Sequence, residues 1–342
     1  MARYLNTDIF RGLIALILFS AASIGVALGH INLVKYLIEG YSQGTTYHVT
    51  YYAADSVVTQ KQTDSLLARL DRSVSLYSPT SLICKFNRSA GGIMIDEPFR
   101  ILVKKALEIN RATYGLVDIT VKPLVDAWGF GVKKPEHFPD AMQVKAILKN
   151  VGPDKIWLQG NFLHKKTPGV QIDLNGIAQG YAADLLANFL ERHHIYNYVA
   201  EIGGELRIKG RNPDGEAFKI GIEAIDGDDI NPAPLRKIIE PGDGAVTTSG
   251  NYRKHLEAGG KQISHIMDPK TGYPTQDEMI SVTVWAKDGI TADGYDNGFI
   301  AMGLKRTLQF LQKRTDIGAY IIYHKPGGAI ADTVTAGFKG YK

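Results

Sequence analysis

Five acids stand beside turn-forming residues in this chain: Asp118, Asp173, Asp268, Asp293 and Asp296. Carboxylate oxygens, with no cysteine cluster and no histidine pair at ligand spacing, suit Mg²⁺ better than zinc. Such an ion takes one or two carboxylates and leaves its other positions to water and substrate phosphate. Asp293 and Asp296 lie three apart and share a face if that stretch is helical. The competing reading is that they cap the helix carrying Phe299 and Met302.

Asp173 belongs to Gln171-Ile-Asp-Leu-Asn-Gly-Ile-Ala-Gln-Gly-Tyr-Ala-Ala-Asp184. This stretch reads as a short apolar strand, a turn at Asn175-Gly176, and a helix whose Ala182, Leu185, Leu186, Phe189 and Leu190 recur at helical spacing. A helix N-terminus at that turn offers free N–H groups and a positive dipole end to phosphate. An acid beside it repels phosphate unless a cation lies between them, so metal plus phosphate is one reading and helix capping by Asp173 or Asn175 the other. His265, three residues before Asp268, is a candidate general base or phosphate ligand, with a structural histidine as the alternative. His193-His194 read as surface. Ser249 sits in Thr-Ser-Gly without a G-x-S-x-G elbow, which sets aside a Ser–His–Asp hydrolase.

The elements that must position these groups are mixed. Tyr41 to Tyr52 has a glycine turn followed by alternating β-formers. Thr63 to Val74 has one apolar helical face, and Asp96 with Pro98 opens a second helix that ends at Tyr114-Gly115. Tyr77 to Asn87 reads as a polar loop whose Tyr77 is either a ligand-stacking ring or a half-buried packing residue. Leu116 to Val125 reads as extended, with Asp118 and Thr120 on one side. A short helix is expected within 139–151, a hairpin turning near Gly160-Asn161, two strands about Gly203-Gly204, and strands at Phe218–Ile222 and Ile280–Ala286. No internal repeat or low-complexity linker is apparent.

At 342 residues the chain holds a sizeable core. Its formal charge of +4 is spread without basic blocks, which argues against nucleic acid. The single cysteine, Cys84, excludes an intrachain disulfide and a cysteine-rich metal site. Gly12 to Gly29 carries no charge and follows Arg3 and Arg11, so a cytoplasmic N-terminus with the bulk of the chain across the membrane is expected. The segment is a signal anchor or a signal peptide cut near Ala27-Leu28-Gly29. The anchor is favoured because Ile31, Leu33 and Val34 extend the apolar face. The expected domains are therefore an anchor over 1–38 and a catalytic unit over 39–342.

From about Gly44 onward the chain resembles the ApbE family of FAD:protein FMN transferases. The matching blocks come in family order: Gly44 to Tyr47; Tyr77 to Asn87; Gly115-Leu-Val-Asp-Ile-Thr120 with Trp128-Gly-Phe-Gly131; Asp173 to Asp184; Ile202-Gly-Gly204 through Asn212-Pro-Asp-Gly215; Thr248-Ser-Gly250; His265 to Gly272; and Ala292-Asp293 to Gly298. The resemblance implies an α+β fold of largely antiparallel sheets with packed helices, in two lobes with the flavin between them. It also implies a periplasmic, Mg²⁺-dependent enzyme, held here to the inner membrane by its anchor. Such an enzyme splits FAD, attaches FMN to a Thr or Ser hydroxyl of a partner and releases AMP. Partners of the family are flavoprotein subunits of membrane redox complexes.

By the same resemblance Tyr77 stacks on the isoalloxazine, and Gln43, Leu116, Val117, Asp118, Asp173, Gln179 and Met267 contact FAD. Asp293, Asp296, Asn297 and the Gly176 carbonyl hold the metal, and His265 lies near the reacting phosphate. Asn297 stands where many members have Thr, Gln179 where Lys or Glu is frequent, and Gln43 where Met is usual. Hydrolysis of FAD to FMN and AMP, and a membrane-tethered flavin binder without turnover, are the alternative functions.

Overall fold

In the computed structural model of this protein, residues 33–132, 135–224, 234–250, 255–258, 261–275 and 278–341 are described. Strands β1 (Val34–Ser42) and β2 (Thr45–Ala53) form a hairpin closed by Gln43 and Gly44, both with positive φ. That two-residue turn has the twist antiparallel strands require. In chain order follow α1 (Gln60–Val74), α2 (Leu82–Arg88), β3 (Gly92–Met94), α3 (Glu97–Ala112), α4 (Lys122–Ala127) and α5 (Ala141–Leu148). Next come β4 (Ile156–Gln159), β5 (Phe162–Lys165), α6 (Asn175–Arg192), β6 (Tyr198–Ile202), β7 (Glu205–Lys209), β8 (Ile220–Glu223), β9 (Leu235–Ile239) and β10 (Gly244–Gly250). The last are β11 (His255–Ala258), β12 (Lys261–Ser264), β13 (Met279–Ala286), α7 (Gly289–Met302), α8 (Leu304–Leu311), β14 (Ile317–His324) and β15 (Ile330–Val334).

Eight strands form one antiparallel sheet in the order β1-β2-β6-β7-β10-β13-β14-β15. Alternation in β2 sends Tyr47, Val49 and Tyr51 to one face, where they join the main core with α1, α3, α6 and α7. The opposite face buries Ile208, Val246, Ile280, Tyr320 and Ile322 against the β8–β9 ribbon and Phe338. A third, small cluster gathers Leu124, Trp128, Val144, Val151 and Met267. The main core thus lies between the sheet and a helical layer whose central pair, α6 and α7, carries the acids of interest.

Several local expectations hold. Asp96 caps α3 with Pro98 in its first turn, the short helix expected within 139–151 is α5, which the structure shows capped by Asp140 in a reciprocal box with Gln143, and Gly203 and Gly204, both at positive φ, turn β6 into β7. Others are corrected. Residues 34–38, grouped above with the apolar segment, begin the sheet's edge strand. The stretch Tyr77–Asn87 is not all loop, because the Ser81 hydroxyl accepts from the Cys84 amide and starts α2. Leu116–Val125 is not extended. Asp118 accepts from both the amide and the hydroxyl of Thr120 and opens a 3-10 turn (Ile119–Val121) that runs into α4. Residues 171–174 enter no sheet. Gly12–Gly29 lies outside the described residues, among which no helix is long and apolar enough to cross a membrane.

Candidate functional site

The helices α6 and α7 touch backbone to backbone. A Cβ on Gly180 would come within 2.2 Å of the Gly289 carbonyl oxygen, and one on Gly289 within 2.3 Å of the Gly180 oxygen. Each glycine is followed four residues later by an aspartate, in Gly180-Tyr-Ala-Ala-Asp184 and Gly289-Ile-Thr-Ala-Asp293. The Gly180 amide donates to Asp293 Oδ2 at 2.7 Å, and the Gly289 amide donates to Asp184 Oδ1 at 2.7 Å. The close approach that glycine allows is what lets each carboxylate reach across to the other helix.

The two acids differ in their charge partners. Asp184 also accepts from the Ile290 amide and is paired with Arg207 at 2.9 Å. Burial pushes its carboxyl up to about 6, against the pull of those amides and of Arg207. Asp293 is 4% exposed and is pushed up to about 7 by burial, opposed by the Gly180 amide and reinforced by Asp184. Asp296, one turn on and 1% exposed, is raised by burial and then by Asp293. Among the described residues no salt bridge reaches Asp293 or Asp296, and every charged group acting on them is another acid. Buried carboxylates without a cation are costly, and a divalent ion removes that cost. The donor set fits Mg²⁺ in this respect, although no group of three or more His, Cys, Asp or Glu among the described residues is arranged to hold a metal by itself. The capping alternative for Asp293 and Asp296 is excluded, since Asp288 caps α7 and the pair lies inside the helix.

Two more of the expected ligands meet at the start of α6. Gly176 departs from helical geometry, with φ −82° and ψ 18°, and the Asn297 amide nitrogen stands 3.2 Å from the position of a Gly176 Cβ. Asn297 Oδ1 accepts from the Ser249 hydroxyl at 2.6 Å, so β10 fixes the carboxamide. A hydroxyl accepts as readily as it donates, and the pairing survives if the carboxamide turns its oxygen toward a cation. Asp173 accepts from the Asn175 amide at 2.7 Å in a turn just before α6, whose N-cap position is Leu174 without a side-chain cap, so neither Asp173 nor Asn175 is the helix cap anticipated as the simpler reading. Burial raises the Asp173 carboxyl.

The flavin-side candidates flank this centre. The Asp173 amide donates to the Ile119 carbonyl, placing Asp173 beside the Asp118 turn, where burial also raises the Asp118 carboxyl. Val117 packs against Gly298, and Leu116 packs on the main core beside it. Gln179 and Thr45 both crowd Gly203, so the β6–β7 turn meets the tip of the first hairpin, where Gln43 Oε1 is buried without a hydrogen-bond partner among the described residues. His265 packs edge-on to Phe130, and Met267 joins the Trp128 cluster, with Trp128 Nε1 donating to the Gly272 carbonyl. Tyr77 takes part in none of these contacts and is 69% exposed. Asp268 stays local, organising the 268–273 turn.

Sequence reasoning missed Asp184, Glu205 and Arg207. The signal for the first was present as the repeated Gly-x-x-Ala-Asp, too short to register as an internal repeat. Arg207 and Glu205 are two apart on β7 and face the same helical layer, which only the sheet pairing reveals.

The profile of the ApbE family matches residues 43–321. A FAD:protein FMN transferase of Vibrio cholerae is 38% identical over 79% of this chain and 82% of its own length. One from Haemophilus influenzae is 34% identical over 87% and 89%. Among solved structures, the flavin transferase ApbE of Vibrio cholerae superposes with a TM-score of 0.80 at 33% identity, covering 90% of this chain and 98% of that one. The flavinyl transferase ApbE of Pseudomonas stutzeri gives 0.79 at 30% identity, covering 89% and 96%.

Proposed function

The chain belongs to the ApbE family, and from that premise we propose that it is an Mg²⁺-dependent enzyme that transfers FMN from FAD to a hydroxyl of a partner protein. The observation that carries this reading is the asymmetry of the helix pair. Of two acids in equivalent positions, one has Arg207, while the charged groups around the other, among the described residues, are the acids Asp184, Asp296 and Glu205. Asp293, Asp296, the Asn297 carboxamide and the Gly176 carbonyl would hold the ion, and the ion would offset negative charge on the pyrophosphate and on departing AMP.

The chain's own residues then bind, orient and move a proton. Tyr77 offers an open ring face to the isoalloxazine, and Asp118, Asp173, Gln179, Leu116, Val117, Gln43 and Met267 line the approach. The acceptor's Thr or Ser oxygen forms a bond to the FMN phosphorus, and the bond from that phosphorus to the bridging oxygen breaks. AMP leaves with the bridging oxygen, and the acceptor's proton passes to His265. Positioning and electrostatics supply most of the acceleration.

The flavin lies between two lobes in this reading, one built on the large sheet and one on the Trp128 cluster. The apolar N-terminal segment anchors the enzyme in the inner membrane with its catalytic unit, which begins with β1 at Val34, in the periplasm. Its acceptor is a flavoprotein subunit of a membrane redox complex. The test is incubation of the purified chain with FAD, Mg²⁺ and such a subunit. Covalent flavin fluorescence on the subunit with matching AMP is expected. AMP without labelled subunit would make the chain a hydrolase, and intact FAD would make it a binder.

A further inference from the structure

Glu205 opens β7 immediately after the Gly203–Gly204 turn and is 8% exposed. Its Oε2 finds no hydrogen-bond partner among the described residues. That oxygen lies 3.2 Å from the position of a Gly203 Cβ, the same point that Gln179 Nε2 approaches to 2.8 Å. The charges it feels are those of Asp293, Asp296 and Glu201, all negative. Two residues along the same strand face, Arg207 delivers a positive charge to Asp184. One strand thus neutralises the first acid of the helix pair and adds a further anion beside the second.

A buried carboxylate with an unpartnered oxygen, set among other carboxylates, is costly unless a cation completes the group. We infer that Glu205 belongs to the cation site as its outer carboxylate, accepting a hydrogen bond from a water on the ion rather than ligating it directly. The outer role follows from the geometry: Glu205 Oε2 and Gln179 Nε2 meet beside Gly203, with Gln179 one residue from the Gly180 amide that holds Asp293, yet among the described residues no three carboxylates are arranged as a metal cage. Carboxylates in this position orient bound water and raise affinity for the ion. The inference rests on the Mg²⁺ reading given above and extends it to a residue on the sheet.

The test is Mg²⁺ and Mn²⁺ binding to the purified full chain without FAD, by metal-induced shift in melting temperature and by Mn²⁺ electron paramagnetic resonance. Glu205→Gln should weaken binding by about 10- to 100-fold. Without metal its melting temperature should be equal to or above that of the unmodified chain, because a like charge is gone from the cluster. Glu205→Asp should recover part of the affinity. Equal metal affinity in Glu205→Gln would overturn the inference while leaving the site intact. So would a lowered metal-free melting temperature that Glu205→Asp restores without any change in affinity, since that is the behaviour of a structural glutamate. No binding by the unmodified chain would instead overturn the metal reading itself.

Discussion

Asp184 and Asp293 occupy matching posts on two crossing helices, each four residues past a glycine and each accepting the amide of the other's glycine. Among the described residues, Asp184 alone of the two has a guanidinium beside it. The first is therefore a fastener, and the second is left with a charge to give.

Asp293→Asn keeps an oxygen for the Gly180 amide, so the fold should survive. Turnover should fall by about 100-fold or more, in the range seen when one electrostatic partner of a transition state is removed. The Mg²⁺-induced rise in melting temperature should vanish. Unmodified transfer rates in this variant would count against the metal assignment.

Gly180→Ala places a methyl against the Gly289 carbonyl, and backbone cannot turn aside as a side chain can. A loss of ~3 kcal/mol in urea unfolding is expected, at the upper end for overpacking. A loss under ~0.5 kcal/mol would show that the helices part without cost.

The pH dependence of stability follows from Asp184. Its folded carboxyl, raised from 3.8 to about 6, keeps a proton that the unfolded chain has already released in that window. The folded state thus binds more protons there, and stability falls as pH rises from about 4 to about 6, by ~3 kcal/mol at most. Asp184→Asn cannot ionise and should flatten that part of the curve of unfolding free energy against pH. An unaltered slope would assign the proton elsewhere.

Tyr77→Ala should weaken FAD binding by ~1–3 kcal/mol, the worth of a base stacked on an aromatic ring. The ring is exposed, so the melting temperature should stay the same. Flavin fluorescence titration reads the first and calorimetry the second, and an unchanged dissociation constant would remove Tyr77 from the site.

Lys165 is buried and donates to the carbonyls of Asn87, Pro168 and Val170, just upstream of Asp173. Lys165→Met leaves three acceptors unpaired and should cost ~3 kcal/mol or more. FAD affinity should drop as well, because the same segment carries Asp173. Full affinity in a destabilised variant would show that Asp173 is held by Asn87, which bonds both polar backbone groups of Ile172.

Much of the architecture was legible because it is written locally. The Gln43-Gly44 turn, the Asp96-Pro98 start of α3 and the Gly203-Gly204 reversal each depend on a few neighbouring residues. The α7 stretch was ambiguous because Gly289, Gly294 and Gly298 are poor helix formers. Packing against Gly180, Ile109, Ile177 and Val117 makes it helical, and those contacts lie far away in sequence. The same holds for the site. The acids could be suspected one by one, but the pairing of Asp184 with Arg207, which Asp293 lacks among the described residues, exists only once α6, α7 and β7 are assembled. Asp118 and Thr120 were rightly associated for the wrong reason, since a turn and not an extended strand joins them.

The edge strand β1 starts at Val34, five residues past Gly29, where the uncharged N-terminal run ends. Five residues reach ~18 Å at full stretch. Where that run is embedded in lipid, as proposed, so short a leash holds β1 close to the bilayer. A dissolved protein would have to come to the bilayer to be labelled, whereas one already seated there would face the enzyme at a far higher local concentration.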